Sequence, residues 1–400
     1  MRVRVCDDDE DMANGWVTAI RAVVPADFNV ERMPDAKLEV SKLLLRKLAA
    51  EKGENPLVQA CAFDVIDVLV IDYDLLHLDD EGSRTTGEGV ARLARTFSTC
   101  GAILVMNQFK GPQFDLGMRG HLDSFADVNV DADLVGRAAM WADLEPAEGQ
   151  FDPTTWTPLP ALLRATRNLS TILEANGLDG EIMRAIGLDE AALIKLSDTA
   201  YGFLSVEAET SDQLAALTAK TFLNRSLDEK FIASLEKHAP KLLFAFAAAR
   251  LRKWLDRAVL RPMDVLVDTA HLIDRLPFMI DPERVDVADP LSWSKAAADP
   301  AAILRWNVLK KYHNEQASEV LGKTVFDWYR LAEDEEVDKL QDDYLATDLP
   351  RFHLAEDTSR FVPRDAVMRY RADFHNFGDR RAVEKLGDVT YGPMRRVSFG

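Results

Sequence analysis

The feature that most constrains this chain is a series of short apolar segments alternating with helical ones over its first third. Val3–Cys6 is short and β-branched, Met12–Val24 has helical spacing, and Phe28–Met33 is a second short strand. Lys37–Lys52, rich in Leu, Lys and Ala, predicts a long helix. Asp67–Asp72 reads Asp-Val-Leu-Val-Ile-Asp, a nearly continuous apolar strand closing on an acid. Gly87–Phe97 predicts a helix, Ala102–Met106 a fully apolar strand, and Phe125–Val130 a weaker fifth strand. Strands without polar alternation must be covered on both faces. Alternated with helices, they predict an α/β domain built on a doubly wound five-stranded parallel sheet. Ligands of such sheets sit at the carboxyl ends of the strands. Asp7, Asp8, Asp72 and Asn107 all fall at predicted strand ends.

A chain of 400 residues exceeds one domain of roughly 100–200 residues. The expected organisation is the α/β domain over 1–145, a Pro-bearing linker over 146–160, a helical domain over 161–285, and a second helical lobe with an irregular C-terminal tail over 286–400. Thr210–Gln213 and Ser226–Glu229 fit capping boxes. Asp-Pro-x-x-Trp occurs at Asp152–Trp156 and Asp289–Trp293 and is helix-start chemistry, because Asp caps and Pro suits the first turn.

The net charge of −19 argues against a broad nucleic-acid or anionic-membrane surface, which needs clustered Lys and Arg. Arg369, Arg371, Arg380, Arg381, Arg395 and Arg396 crowd near the C-terminus and are expected to be solvated or paired internally. Cys6, Cys61 and Cys100 match no zinc or redox spacing and read as small buried residues of a reducing compartment. The N-terminus does not read as a signal peptide, and no window has about 18 uninterrupted apolar residues. A soluble cytoplasmic protein is expected. None of the seven histidines forms a His-x-x-x-His pair. His271 is expected to be a partly buried residue of an amphipathic helix, Val265–Leu276. Trp254, Trp293, Trp306 and Trp328 are expected to be core residues.

Phosphoryl transfer to a carboxylate requires a fixed, exposed Asp, a divalent cation to offset crowded oxygens, and donors for the phosphoryl oxygens. Two acids after strand one and one closing strand three can supply the acidic part, since those strands are neighbours in such sheets. Val-Arg-Val-Cys-Asp-Asp-Asp, Val-Leu-Val-Ile-Asp-Tyr-Asp-Leu, the helix Gly87–Arg95 and Ala-Ile-Leu-Val-Met-Asn stand in the order and spacing of the response-regulator receiver domain, a flavodoxin-like fold, which residues 1 to about 141 resemble. The resemblance implies Asp72 as phospho-acceptor, and Asp7, Asp8, Asp72 and the backbone carbonyl of Asp74 as Mg2+ ligands. It implies a histidine kinase or phosphotransfer protein as donor, a downstream protein effector, and a signalling role rather than turnover. A homodimer is compatible with it. Three departures stand out. Asn107 replaces the family's Thr or Ser, although its amide can still donate to a phosphoryl oxygen. The Lys that closes strand five in the family is missing, with no Lys between Lys110 and Lys195, and Lys110, Arg119 and Arg137 do not occupy its position. Segments Lys37–Phe63 and Leu75–Thr86 are longer than usual and offer a lid or docking surface.

Two rival readings use the same residues. A pseudo-receiver would bind partners without being phosphorylated, which the missing Lys favours. The strand followed by Asp-Tyr-Asp-Leu-Leu also resembles haloacid-dehalogenase phosphohydrolases, in which Asp72 would be nucleophile and Asp74 acid/base; that leaves the strand before Asp7 unexplained. The long helical region resembles atypical receiver proteins of bacterial anti-phage defence. No helix-turn-helix and no nucleotide-binding glycine motif is present.

Overall fold

A computed structural model describes residues 1–75, 85–107, 112–114, 123–142, 150–154, 157–204, 210–345, 351–370 and 381–391. The N-terminal strands are β1 (Arg2–Cys6), β2 (Asn29–Arg32), β3 (Val68–Asp72), β4 (Ala102–Asn107) and β5 (Val128–Asp131). They form one sheet in the order β2-β1-β3-β4-β5, every neighbouring pair parallel. The expected five-stranded parallel sheet is therefore present. Strand five starts and ends later than its sequence pattern suggested, because Phe125–Asp127 approach it as an irregular segment.

Parity along the strands explains how both faces are covered. Val3, Val5, Val68, Val70, Leu104, Met106, Val128 and Val130 face one way. They meet Ala13, Val17 and Ile20 of α1 (Glu10–Arg21) and Leu159, Leu162 and Leu163 of α4 (Leu159–Asn176). Cys6, Leu69, Ile71, Ile103 and Val105 face the other way, onto Val40 and Leu43 of α2 (Ala36–Glu51) and Val90, Ala91, Ala94 and Phe97 of α3 (Gly87–Phe97). The start of α4 thus shares a core with the sheet. Asp9 caps α1, its carboxylate accepting from the amides of Asp11 and Met12. This separates the acidic triplet: Asp9 belongs to the helix, while Asp7 and Asp8 stay at the strand end.

Beyond α4 the chain is largely helical, around α5 (Pro240–Trp254), which runs on into a π-helical stretch, Leu255–Leu260. Trp254 and Trp293 are buried as expected, Trp306 and Trp328 only partly so. All three cysteines are free and buried. Asp289 caps the helix of the second Asp-Pro-x-x-Trp as expected, and the Thr210 capping box is formed. At the other expected box Asp228, not Ser226, is the cap. Trp156 of the first Asp-Pro-x-x-Trp lies outside the described residues. Among the described residues no helix is long and apolar enough to cross a membrane.

Strands also occur where the sequence shows little periodicity. β6 (Leu266–Asp268) pairs antiparallel with β7 (Val325–Asp327). β8 (Phe352–Ala355), β9 (Arg360–Pro363), β10 (Met368–Arg369) and β11 (Ala382–Val383) form a second sheet in the order β9-β8-β11-β10. Strands of two to four residues are too short to display a period of two.

Two buried polar networks tie these parts together. In the first, the irregular segment before β5 presents carbonyls that α5 satisfies. Arg250 donates to Ser124 O at 2.8 Å, and Lys253 donates to Ser124 O at 3.0 Å and Ala126 O at 2.7 Å. Burial, then Arg257 and Arg250, hold the Lys253 ammonium well below its ordinary pKa. Asp127 pairs with Arg95 of α3, accepts from Ile103 N at 2.8 Å, and lies 3.7 Å from Arg252. In the second network, His271 is a partly buried helix residue, as expected. Its Nδ1 lies 2.6 Å from Asp268 Oδ1 and its Nε2 2.9 Å from Glu356 Oε1. It sits in a short helix, α6 (Thr269–Arg275), capped by Asp268. The expected helix over Val265–Leu276 begins instead as strand β6.

Removing Asp127 leaves a buried arginine without its counter-ion, a change that typically costs about 3–5 kcal/mol. Asp127→Ala should therefore lower the melting temperature markedly in calorimetry, while Asp212→Ala, in an exposed short helix, should not. The His271 network predicts a pH optimum. Burial lowers the His271 pKa and Arg381 adds to that, but Asp268 and Glu356 together raise it, and the net direction is up. Its stabilisation is complete below the unfolded His value of ~6.5 and is lost as pH rises through the folded value. For Glu356, burial raises the pKa, but Arg381 and then His271 bring it down to about 2. That contribution is complete above the unfolded Glu value of ~4.3 and is lost as pH falls toward the folded value. The stability gap between the native chain and His271→Gln should thus peak at roughly pH 4.5–6.5 and shrink on both sides. A gap that stays flat with pH would contradict this.

Candidate functional site

The parallel sheet fixes where the acidic residues meet. Cys6 is level with Ile71, so Asp7, the next residue, stands level with Asp72 at the carboxyl end of β3. Asp72 is in turn level with Met106, one residue before Asn107, and Asn107 is level with Asp131 at the end of β5. Asp7, Asp8, Asp72 and Asn107 are therefore gathered at one edge by backbone register alone.

Asp72 is buried. Its Oδ2 accepts from the amide of Asp74 at 3.1 Å, which folds the chain over the strand end. The amide of Gly87 donates to Tyr73 O at 2.8 Å. A Cβ at Gly87 would lie 2.4 Å from the Asp72 carbonyl oxygen, so only glycine allows the start of α3 to close on this end of the sheet. Thr86 caps α3 through the amide of Gly89. Glu88, in the first turn, accepts from Ser124 Oγ at 2.6 Å and Asn129 Nδ2 at 2.7 Å.

Asp72 and Asp8 act electrostatically on Asp7. Burial pushes the Asp7 carboxyl up to about 6; the Asp9 amide opposes this, while Asp72 and Asp8 add to it. Burial, then Asp7, Asp8 and Asp72, push the Cys6 thiol up to about 12, so it is an inert core residue and not a nucleophile. Hard carboxylate oxygens suit Mg2+ by chemistry. Among the described residues, no group of three or more His, Cys, Asp or Glu is gathered closely enough to hold a metal ion. The fit of Asp7, Asp8 and Asp72 to a cation is one of donor type and shared negative charge, not of an assembled ligand cage.

Strand five closes on Asp131, which is buried, where the receiver resemblance calls for Lys. Its segment, Val-Asn-Val-Asp, repeats the apolar-strand-ending-on-acid pattern that marks Asp72, and that signal was available in the sequence. Of the other basic candidates, Arg137 lies over the Phe151 ring, 5.8 Å from its centroid. Lys110 and Arg119 lie outside the described residues, as does most of the long segment Leu75–Thr86. Lys37–Phe63 is mostly α2 and its following turn, with Leu38, Leu45 and Leu48 about half exposed.

No protein-family model, curated protein or solved structure matches this chain.

Proposed function

We propose that the N-terminal domain is an atypical, flavodoxin-like receiver that accepts a phosphoryl group on Asp72, and that the helical region passes the signal on through protein contacts. The observation that carries this reading is the placement of Asp7 level with Asp72, with Asp8 next in the chain, at the carboxyl edge of a sheet ordered β2-β1-β3-β4-β5. That order and that edge are where flavodoxin-like folds hold their ligands. In the reaction, an Asp72 oxygen attacks the phosphorus of a phosphohistidine on a histidine kinase or phosphotransfer protein. The P–N bond breaks, an O–P bond forms, and the leaving imidazole takes up a proton. Asn107 supplies an amide to a phosphoryl oxygen. Asp7 and Asp8, with Asp72 and the Asp74 carbonyl, would hold Mg2+, whose charge offsets that of the phosphoryl group.

A second reading has its own observation. Asp131 brings a carboxylate, not an ammonium, to the end of strand five. With that position acidic, the domain would serve as a pseudo-receiver, a protein-binding module that is never phosphorylated.

Intact-mass measurement after incubation with acetyl phosphate and Mg2+ separates the two. The receiver reading predicts a gain of one phosphoryl group that Asp72→Asn abolishes. No gain, with acetyl phosphate or with a panel of histidine kinases, would sink it in favour of the pseudo-receiver. A steady release of inorganic phosphate dependent on both Asp72 and Asp74 would instead point to phosphohydrolase chemistry. Mg2+ should also raise the melting temperature of the native chain, and Asp8→Asn should remove most of that rise.

A further inference from the structure

The C-terminal sheet brings four arginines to one cavity. Arg351 immediately precedes β8 and Arg364 immediately follows β9. The antiparallel register Pro363↔Phe352 puts both at the same end. Arg369 closes β10 and pairs with Ala382, while Arg381 immediately precedes β11. β11 runs parallel to β8 through Ala382↔Ala355, so Arg381 stands level with Leu354 and Arg369 with Ala355, farther along β8. All four line one cavity of about 420 Å3, together with His353 and Asp274.

Charge in this cavity is unbalanced. Arg381 is buried and fixed: it donates to Glu356 Oε1 at 2.5 Å and to the carbonyl of Arg261. Arg351, Arg364 and Arg369 are exposed to the cavity side and have no carboxylate partner among the described residues. Asp274, the acid of the lining, already accepts from Leu354 N at 2.9 Å and lies 3.3 Å from His353 Nδ1. A chain of net charge −19 has acids in excess, yet among the described residues this cavity sets four guanidinium groups against one lining carboxylate, Asp274. Like charges around a concave surface repel, and an anion removes that cost. Planar guanidinium forks match phosphate oxygens bidentately. The volume lies in the range of small-molecule pockets, ~300–1,000 Å3, and exceeds what one simple ion fills.

We propose that this cavity binds a small phosphorylated molecule carrying at least two phosphoryl charges. Arg364 and Arg369 are its adaptable contacts, and Arg381, held by Glu356, is the fixed one. A nucleic-acid backbone is the disfavoured source of phosphate, because the acidic surface as a whole repels it. The cavity shares no lining residue with the acidic edge of the N-terminal sheet, so either assignment can fail without the other.

The test uses the full chain in EDTA at low ionic strength, with inorganic pyrophosphate as the probe, read by titration calorimetry and thermal shift. Pyrophosphate should bind and raise the melting temperature, and inorganic phosphate should bind more weakly. Arg364→Gln and Arg369→Gln lie on exposed positions, so their unliganded melting temperatures should match the native chain. Each should weaken pyrophosphate at least about tenfold, the loss of one charge-assisted contact. Asp72→Asn should bind as the native chain does. No binding at millimolar pyrophosphate, or binding that both arginine variants retain in full, would overturn the proposal. So would a single-stranded oligonucleotide that displaces pyrophosphate at lower concentration than pyrophosphate itself binds.

Discussion

An all-parallel sheet has to be buried on both faces, and most of this structure follows from that requirement. The N-terminal segment supplies α1 to one face and α2 and α3 to the other. It does not finish either job alone. Leu159, Leu162 and Leu163 of α4 complete the first face, and Phe231, from the helix before α5, packs against the second. A residue as small as Gly101 shows how close the fit is. A Cβ there would lie 2.2 Å from the Asp67 carbonyl oxygen and 2.6 Å from Leu163 Cδ1. The helical region is thus part of what keeps the sheet dry, not an appendage to it.

The buried cations of α5 follow from the same requirement. Residues 123–127 are not helical, so their carbonyls have no ladder or helix to satisfy them, and orphaned buried carbonyls are costly. Arg250 and Lys253 supply the donors from a neighbouring helix. Burying an ammonium is itself expensive, and the downward displacement of the Lys253 pKa records that cost. An unpaired carbonyl pair and a buried cation are each unfavourable; together they offset one another and tie the helix to the segment before β5.

Much of the N-terminal half was legible in the sequence for a simple reason. Strands such as Val68–Asp72 and Ala102–Asn107 are buried on both sides, and an uninterrupted apolar run is a strong local signal. The acids at their ends were legible too, because a charge that closes such a run can only lie at the sheet's edge. Asp131 shows the same pattern more weakly, since Asn129 interrupts its strand. The arginine cavity was legible only in part: Arg369 and Arg381 stand in a basic C-terminal run, but Arg351 and Arg364 give no such signal. Arg351, Arg364, Arg369 and Arg381 are brought together by the pairing of four very short strands, and no local periodicity encodes that pairing. His271 was half legible: its helix could be expected, but Glu356, which closes on its second nitrogen, lies 85 residues away.

The close contact at Gly87 links the acidic edge to the rest of the molecule. With no side chain there, α3 starts against the Asp72 carbonyl. The next residue, Glu88, holds Ser124 and Asn129, and the Ser124 carbonyl is held in turn by Arg250 and Lys253 of α5. The π-helical stretch begins two residues after Lys253. Each link is a hydrogen bond or a backbone contact between buried groups, so a displacement at the end of β3 cannot be absorbed by solvent. Contiguity alone does not make a switch; that takes an element with two arrangements. What the geometry does establish is a continuous run of buried contacts from the Asp72 carbonyl through the start of α3 to Ser124 and α5.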